Sequence, residues 1–382
     1  MIYLDAATTP PPLPEALLAA REAQERCWGD PAGLGEASER AAHTVEEARG
    51  RIADLVEADP EGVILCSGGT EADNLALKGL CAAAPESRRH LAISSIEPYA
   101  VNHPARSLER RGWKVTHLGV DPLGRVIPAF PRDAFLVSVV LAHPGVGTWQ
   151  DLRPLAELAH ARGALFHADA CAAAGFDRVS MRGLGVDALS LSGHHLGAPS
   201  GAGALVLRSG VTIRPLIEGG THEGGLRPGM PALGPVAGMG AAAESLRREL
   251  PSRAASLRRL GHRLMEGMGS LPGAVLTGDP VRRIPGHASC CLPGLDGEAL
   301  VSALASEGIL ASTGSPCAQH ASEARKAEPS LLAMGIGESL ARGSLRLSAS
   351  AGTAEADVDK AIEALGRCVR RLRALAPAGS SP

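Results

Sequence analysis

Short apolar runs alternate with longer helical patterns over the first two thirds of this chain. Each run is bounded by glycine, proline or polar residues, as buried strands are. A helical pattern at 155–162 separates the last two runs, which makes a strand–helix–strand unit. The alternation predicts an α/β domain with a mainly parallel sheet. The runs that predict buried strands are residues 63–65, 91–93, 135–141 and 164–166.

The pattern changes near residue 250. At Leu250-Pro251-Ser252 we expect a helical segment to be interrupted, because proline cannot donate the helical hydrogen bond. The remainder reads as helix, strand, helix, loop, strand and helix, which predicts a smaller α+β unit. We therefore predict a large domain at 16–250 and a small C-terminal domain at 251–382.

Composition narrows the function classes. A chain of 382 residues with 45% hydrophobic residues can build the cores of two domains. Its net charge of -3 offers no basic footprint for nucleic acid or for a membrane surface. No apolar run reaches membrane-spanning length and no leader pattern opens the chain, so we expect a cytoplasmic protein. Eight cysteines without zinc-ligand spacing are expected to be mostly reduced.

Polar residues follow three of the predicted strands. Ser67-Gly68-Gly69-Thr70 follows one strand and opens a helix, where backbone N–H groups and the helix dipole favour an anion. Asp169 and His195 come directly after two other apolar runs. Because ligands bind at the carboxyl ends of parallel strands, we expect Thr70, Asp169 and His195 to converge. The simpler alternative is that Thr70 and Asp169 only cap the segments that follow them.

Four segments, in this order along the chain, resemble those of the cysteine desulfurases, which are pyridoxal-phosphate enzymes grouped with the class V aminotransferases. The resemblance implies the type I pyridoxal-phosphate-dependent transferase fold, with a seven-stranded, mainly parallel sheet in the large domain. It also implies that residues 1–15 pack on the small domain and that the protein is a homodimer. The four segments are Tyr-Leu-Asp-Ala-Ala-Thr-Thr at 3–9, Ser-Gly-Gly-Thr-Glu-Ala-Asp-Asn-Leu at 67–75, Ser-Gly-His-His at 192–195 and Ala-Ser-Thr-Gly-Ser-Pro-Cys at 311–317.

The resemblance assigns cofactor-binding roles to five residues. Gly69 and Thr70 lie in the segment that resembles the phosphate-binding turn, and Ser192 and His194 match positions that contact the phosphate. Asp169 resembles the aspartate that keeps the pyridine nitrogen protonated, which makes the ring an electron sink.

His195 departs from the family pattern. It stands where the family has the lysine that forms the imine with the cofactor, and an imidazole cannot form that bond. None of the four lysines lies in a strand-end loop of the predicted pocket; they are Lys78, Lys114, Lys326 and Lys360. Further pocket positions also differ from the family pattern, at Pro98, Pro144, Ala172 and Met230. If pyridoxal phosphate binds at all, we expect non-covalent and weak binding.

The segment around Cys317 keeps its family pattern. Cys317 resembles the persulfide-carrying cysteine, in a loop rich in small and turn residues that we expect to be exposed. Arg346, in Ser344-Leu345-Arg346-Leu347-Ser348, resembles the arginine that grips the substrate carboxylate, a task that suits its fork of donors. The alternative for Cys317 is an unused surface thiol left by descent.

Histidines near the predicted pocket allow a second interpretation, since imidazoles bind zinc and other transition metals. Only His143 and His195 are unusual for the family, so we expect hydrogen-bonded histidines and predict no metal site.

Three functions remain open from the sequence. The first is a desulfurase-like protein without conventional desulfurase activity, which relays sulfur or binds a partner through Cys317. The second is a pyridoxal-phosphate enzyme with altered chemistry on an amino acid, in which His195 moves protons. The third is a structural subunit that pairs with an active paralogue. A sulfur donor or acceptor protein is the partner that the first function requires.

Overall fold

The computed structural model describes residues 1–314 and 327–375. Its helices are α1 Pro14–Arg26, α2 Glu36–Leu55, α3 Gly69–Asn74, α4 Leu80–Ala82, α5 Tyr99–Glu109, α6 Leu152–His160, α7 Met181–Leu184, α8 Leu233–Gly269, α9 Gly297–Ser306, α10 Pro329–Ala333, α11 Glu338–Ala341 and α12 Glu355–Leu375. A π-helical turn, Leu75–Gly79, joins α3 to α4. The strands are β1 Ile2–Tyr3, β2 Val63–Cys66, β3 His90–Ser94, β4 Lys114–Leu118, β5 Leu136–Val140, β6 Leu165–Asp169, β7 Ala188–Ser192, β8 Gly203–Leu207, β9 Val275–Leu276, β10 His287–Cys291, β11 Ile309–Leu310 and β12 Ser344–Ser348.

A seven-stranded sheet forms the centre of the large domain, in the order β2-β8-β7-β6-β5-β3-β4. The pairs from β7 through β6, β5 and β3 to β4 are parallel, and only β8 runs antiparallel to its two neighbours. The prediction of a mainly parallel sheet in an α/β domain is therefore confirmed.

The central strands form here because their residues are apolar on both faces. Every residue of β3, β5, β7 and β8 is buried, as expected when helices cover both sides of a parallel sheet. The covering helix α6 buries one apolar stripe, formed by Leu152, Leu155, Ala156 and Ala159.

Helix α8 links the large domain to the C-terminal part of the chain, and it runs without interruption through Pro251. The expected break at Leu250-Pro251-Ser252 is therefore wrong. Leu250, Ala254 and Leu257 are buried on either side of the proline, so core packing offsets the one missing hydrogen bond. The domain boundary at residue 250 falls inside this helix and stays a prediction.

The C-terminal part contains a small antiparallel sheet, β12-β10-β9. The start of the chain lies against it: β1 pairs in parallel with β11, and Asp5 bridges to Ser348 at the end of β12. The Ala7 N–H also donates to the Ser348 hydroxyl, at 2.8 Å. Within the described residues, the helices are all too short or too polar to cross a lipid bilayer.

A substitution at Phe166 in β6 tests how much this core contributes to the free energy of unfolding. Its side chain is fully buried in the centre of the sheet. Phe166→Ala should lower the free energy of unfolding by about 3–5 kcal/mol, since it removes apolar burial and leaves a cavity. Leu375→Ala, at an exposed position that ends α12, should cost less than about 0.5 kcal/mol. Urea unfolding followed by circular dichroism measures both values, and equal losses would contradict this account of the core.

Candidate functional site

Three strands bring the predicted site residues to one edge of the sheet. Strands β2 and β7 are both antiparallel to β8, so they run parallel to each other and to β6. A Cβ added to Gly69, just after β2, would lie 2.5 Å from Cys171 Sγ and 3.1 Å from Ser192 Cβ. The absence of that atom lets the first turn of α3 pack directly on the ends of β6 and β7.

The loop after β7 carries Ser192 and His194, and the Ser192 hydroxyl lies 2.9 Å from His194 Nδ1. Thr70 is exposed on the first turn of α3 nearby. The Ser67 N–H is already engaged, because it donates to the Glu71 carboxylate at 2.6 Å, and Glu71 pairs with Arg227 at 3.0 Å. The Ser67 N–H is therefore not free to donate to an anion bound at the N-terminus of α3.

Asp169 lies in a buried cluster with Asp73 and Cys171. One ligating atom from each of the three residues lies within 4.8 Å of the other two. The Cys171 N–H donates to Asp169 Oδ1 at 2.8 Å, whereas Asp73 Oδ1 has no hydrogen-bond partner among the described residues. Burial raises the pKa of both carboxyl groups, and their mutual repulsion raises that of Asp73 further. The pair therefore holds a proton more readily than exposed aspartates do.

Glu97 is a third buried carboxyl group near this pair. Its Oε1 accepts from the Ser94 hydroxyl at 2.5 Å and from the Val140 N–H at 2.7 Å. Burial, together with the charge of Asp169, raises the pKa of Glu97 to about 8. In the described part of the chain, no arginine or lysine forms an ion pair with Glu97, Asp73 or Asp169, so the cluster has no cationic side chain to balance its carboxylates.

His167 lies below the acidic cluster and is held neutral. Its Nδ1 lies 2.9 Å from the Ser138 hydroxyl, and its Nε2 lies 2.9 Å from the Ser190 hydroxyl. Burial lowers the pKa of His167 to about 3. His167 therefore supplies no positive charge to Asp73, although its Nε2 is only 3.7 Å from Asp73 Oδ1.

His195 stacks against its neighbour His194, with ring centroids 4.2 Å apart and an interplanar angle of 35°. Its Nδ1 is buried and has no hydrogen-bond partner among the described residues. Desolvation, together with the charges of the nearby His194 and Arg346, lowers the pKa of His195 to about 3. At neutral pH the imidazole is uncharged and can accept a proton only at a high free-energy cost.

Arg346 is fully buried and its guanidinium is held by protein acceptors. Its Nη2 donates to the Asp5 carboxylate and the Thr8 hydroxyl. Its Nη1 donates to the backbone carbonyls of Pro144, at 3.1 Å, and Gly314, at 3.4 Å. A substrate carboxylate would have to displace these acceptors before it could engage both ends of the fork.

The Pro144 carbonyl also joins Arg346 to a second arginine, Arg283, which is partly buried. This oxygen accepts from His287 Nε2 at 2.9 Å, and His287 Nδ1 lies 3.0 Å from Arg283 Nη1. Burial lowers the pKa of His287 well below its usual value, so the neutral ring donates at one nitrogen and accepts at the other.

The two other histidines that the sequence placed near the pocket are hydrogen-bonded. His143 Nδ1 accepts from the Gly145 N–H at 3.1 Å, and His222 Nε2 lies 2.8 Å from Asp30 Oδ1. Cys317 lies outside the described residues, so its predicted role stays a prediction from the sequence.

Sequence reasoning overlooked several groups of this site: Asp73, Glu97, Cys171 and Asp5. One signal was available, because Asp73 is four residues after Gly69 and so shares its helix face. The contact between Asp5 and Arg346 had no local signal, since the two residues are 341 positions apart.

Comparison with known proteins identifies the family. The sequence-family model of the class V aminotransferases matches residues 2–361 of this chain. The chain belongs to the class V aminotransferase family. A cysteine desulfurase IscS from Methanosarcina thermophila is 35% identical over 98% of this chain and 94% of its own length. An IscS-like cysteine desulfurase from Mycobacterium tuberculosis is 39% identical over the whole of both chains.

The solved structure of a NifS-like protein superposes with a TM-score of 0.90, at 28% identity, over 97% of this chain and 100% of that one. The resemblance to the cysteine desulfurases and the type I pyridoxal-phosphate fold predicted from it are thus both confirmed.

Enzymes of this family use pyridoxal phosphate. The residues of this chain fit that cofactor on the side of its ring nitrogen. Asp169, beside the unpartnered oxygen of Asp73, suits a protonated ring nitrogen, which would supply the cation that the acidic cluster lacks. The other end does not fit covalent attachment, because His195 has no amine. Lys78 lies about 12 Å along the helix axis from Thr70, while Lys114 opens β4 and Lys360 lies in α12. The described residues therefore fit a cofactor that is held without a covalent bond.

Glu97→Gln tests the protonation of the acidic cluster. Between pH 4.5 and about 8 the folded protein keeps the Glu97 proton, whereas the unfolded chain releases it. The contribution of this group to stability is present below pH 4.5 and is lost as the pH rises to about 8, at about 1.4 kcal/mol per pH unit. Glutamine has the same size and cannot ionise. The variant should therefore gain stability relative to wild type as the pH rises from 5 to 8.

Urea unfolding at a series of pH values measures this difference. Glu86→Gln, at an exposed position, is the matched control and should leave the pH dependence unchanged. A difference between Glu97→Gln and wild type that does not vary with pH would show that Glu97 is ionised in the fold.

Proposed function

We propose that this chain is a cysteine desulfurase-like protein that does not carry out conventional pyridoxal-phosphate-dependent desulfuration and instead relays sulfur through Cys317. The observation that carries the proposal is the neutral, desolvated imidazole of His195 at the position of the imine-forming lysine. An uncharged imidazole cannot exchange an imine between enzyme and substrate.

The state of Arg346 supports the same conclusion. The resemblance to the cysteine desulfurases assigns this side chain to binding the carboxylate of free cysteine. In this chain, however, Nη2 donates to Asp5 and Thr8, and Nη1 donates to two backbone carbonyls. Binding free cysteine would therefore require breaking a buried ion pair, which is costly because it leaves Asp5 without its partner.

Sulfur relay needs no cofactor. The Cys317 thiolate attacks the outer sulfur of a donor persulfide, the donor S–S bond breaks, and a new S–S bond leaves the persulfide on Cys317. The donor departs as a thiolate, so electrons and atoms balance. A persulfidated protein or a small persulfide is the donor, and an acceptor thiol is the partner that completes the relay.

Most other thiols of the chain are unsuited to this step. Burial raises the pKa of six of them, which disfavours the reactive thiolate: Cys66, Cys81, Cys171, Cys290, Cys291 and Cys368. Cys27 is the one described thiol that is partly exposed, with the Thr44 hydroxyl 3.3 Å from its sulfur. Cys27 is therefore the natural control for Cys317.

A second candidate function is an altered reaction of non-covalently bound pyridoxal phosphate with an amino acid. The acidic cluster around Asp169 favours it, because a cationic ring nitrogen would neutralise Asp73 and Asp169. When bound, the cofactor supplies an electron sink for the substrate. His195 Nδ1, which has no partner within the described residues, would be the atom that accepts and returns the proton, at the free-energy cost that its pKa of about 3 implies.

We also propose that the protein is a homodimer. The side chains of Trp28 and Leu34 are strongly exposed, and such an interface would remove them from water. The third candidate, a structural subunit beside an active paralogue, would use the same kind of surface without any chemistry.

His195→Lys should not restore conventional desulfurase activity. The amine allows a borohydride-reducible adduct with pyridoxal phosphate, which wild type should not form. Sulfide release from cysteine should nevertheless stay at least about 100-fold below that of an ordinary cysteine desulfurase, because Arg346 stays occupied and several pocket contacts are missing. His195→Gln is the control without an amine. Sulfide release by His195→Lys at the rate of an active relative would contradict the proposal.

Cys317 should accept sulfur from a donor persulfide without added cofactor. Wild type and Cys27→Ser should each gain one sulfur atom on the peptide that contains residue 317, and Cys317→Ser should gain none there, as mass spectrometry of the digested protein would measure. Equal uptake by wild type and Cys317→Ser, or uptake by neither, would rule out the relay and favour the structural subunit.

A further inference from the structure

A cavity of about 550 Å³ lies between α8 and the segment that connects β9 to β10. It lies outside the site around His195, and its volume is typical of pockets that bind small molecules. Gly261 and Met265 of α8 form one wall, and Leu276, Val281 and Ile284 form much of the other.

The walls of the cavity expose apolar side chains to water. Val281 is 86% exposed and Leu276 is 43% exposed, although both line the cavity. Gly269, at the end of α8, leaves room here, because a Cβ at this position would already lie 3.5 Å from Leu276 Cδ1. An apolar ligand would remove these surfaces from water, at about 25 cal/mol per Å².

Arg283 gives the cavity a positive charge that no carboxylate neutralises directly. Its guanidinium donates to the backbone carbonyls of Asp279, at 2.9 Å, and Thr277, and contacts His287 Nδ1 at 3.0 Å. The Asp279 carboxylate is instead paired with Arg125, at 2.6 Å. Among the described residues, therefore, Arg283 forms no ion pair of its own.

Two other charged groups lie at the mouth of the cavity. Arg258 forms an ion pair with Asp177. Glu266, whose Oε1 lies 3.7 Å from His262 Nδ1, is 72% exposed, so water screens its charge. The neutral His287 adds no charge, so Arg283 is the cation left to attract an anion. A buried charge without a counter-ion is costly, and a bound anion reduces that cost.

We propose that this cavity is a binding site for a small amphipathic carboxylate. The apolar body of the ligand packs against Met265, Leu276 and Ile284, and its carboxylate faces Arg283. The proposal does not rest on the sulfur relay, although Arg283 is linked to Arg346 through His287 and the Pro144 carbonyl.

Octanoate is the probe that tests the site, and 1-octanol, which has the same chain length without the charge, is its neutral comparison. Isothermal titration calorimetry on the full-length protein should give a dissociation constant at least about tenfold lower for octanoate than for 1-octanol, as one charge-assisted contact provides. Arg283→Gln should remove this difference. Arg282→Gln is the matched control, because Arg282 pairs with Asp151 outside the cavity.

Arg283→Gln also removes hydrogen bonds within the protein, so a second variant, Met265→Trp, tests the cavity without changing Arg283. The larger side chain should occupy part of the cavity from α8 and leave the hydrogen bonds of Arg283 in place, and it should raise the octanoate dissociation constant at least about tenfold. Circular dichroism would verify that each variant is folded. Octanoate binding no tighter than 1-octanol binding, or octanoate binding unchanged in Met265→Trp, would overturn the proposal.

Discussion

Desolvation at the carboxyl edge of the sheet determines which groups of this site carry charge. It lowers the pKa of His167 and His195 to about 3 and raises that of Glu97 to about 8. At neutral pH these two histidines are therefore uncharged and Glu97 retains its proton, and burial raises the pKa of Asp73 and Asp169 as well. The packing of α3 on the ends of β6 and β7 produces this environment, and it depends on the missing side chain of Gly69.

Arg346 carries a positive charge beside this group of uncharged histidines and protonated Glu97. Its two terminal nitrogens donate to the start of the chain, to the loop after β5 and to the Gly314 carbonyl, whereas its buried Nε has no hydrogen-bond partner among the described residues. The same contacts hold the N-terminal segment against β12. The family pattern assigns Arg346 to binding the substrate carboxylate, but in this chain its guanidinium holds the N-terminal segment in place. Substrate binding and this structural contact would use the same N–H donors.

The sequence allowed the sheet and the position of the site to be predicted, since apolar runs mark strands and polar residues follow their ends. Thr70, Asp169 and His195 were selected in this way, whereas Ser192 and His194 came from the resemblance to the family. The continuity of α8 could not be predicted, because burial of Leu250 and Leu257 outweighs the local effect of Pro251. Nor could the partners of Arg346, because Asp5 meets it only after two distant segments fold together.

The position of His195 ties these observations to function. A lysine in the same desolvated place would have a lowered pKa, and the resulting free amine is what imine chemistry requires. The environment is therefore still one that activates an amine, although the chain provides an imidazole there. The acidic cluster likewise still suits a cationic ring nitrogen. In the proposed function, loss of the amine alone would still allow the cofactor to bind without a covalent bond, whereas the occupied fork of Arg346 opposes binding of the amino-acid substrate. Because these two features act on different molecules, cofactor binding and substrate binding can be lost separately, and the proposed sulfur relay depends on neither.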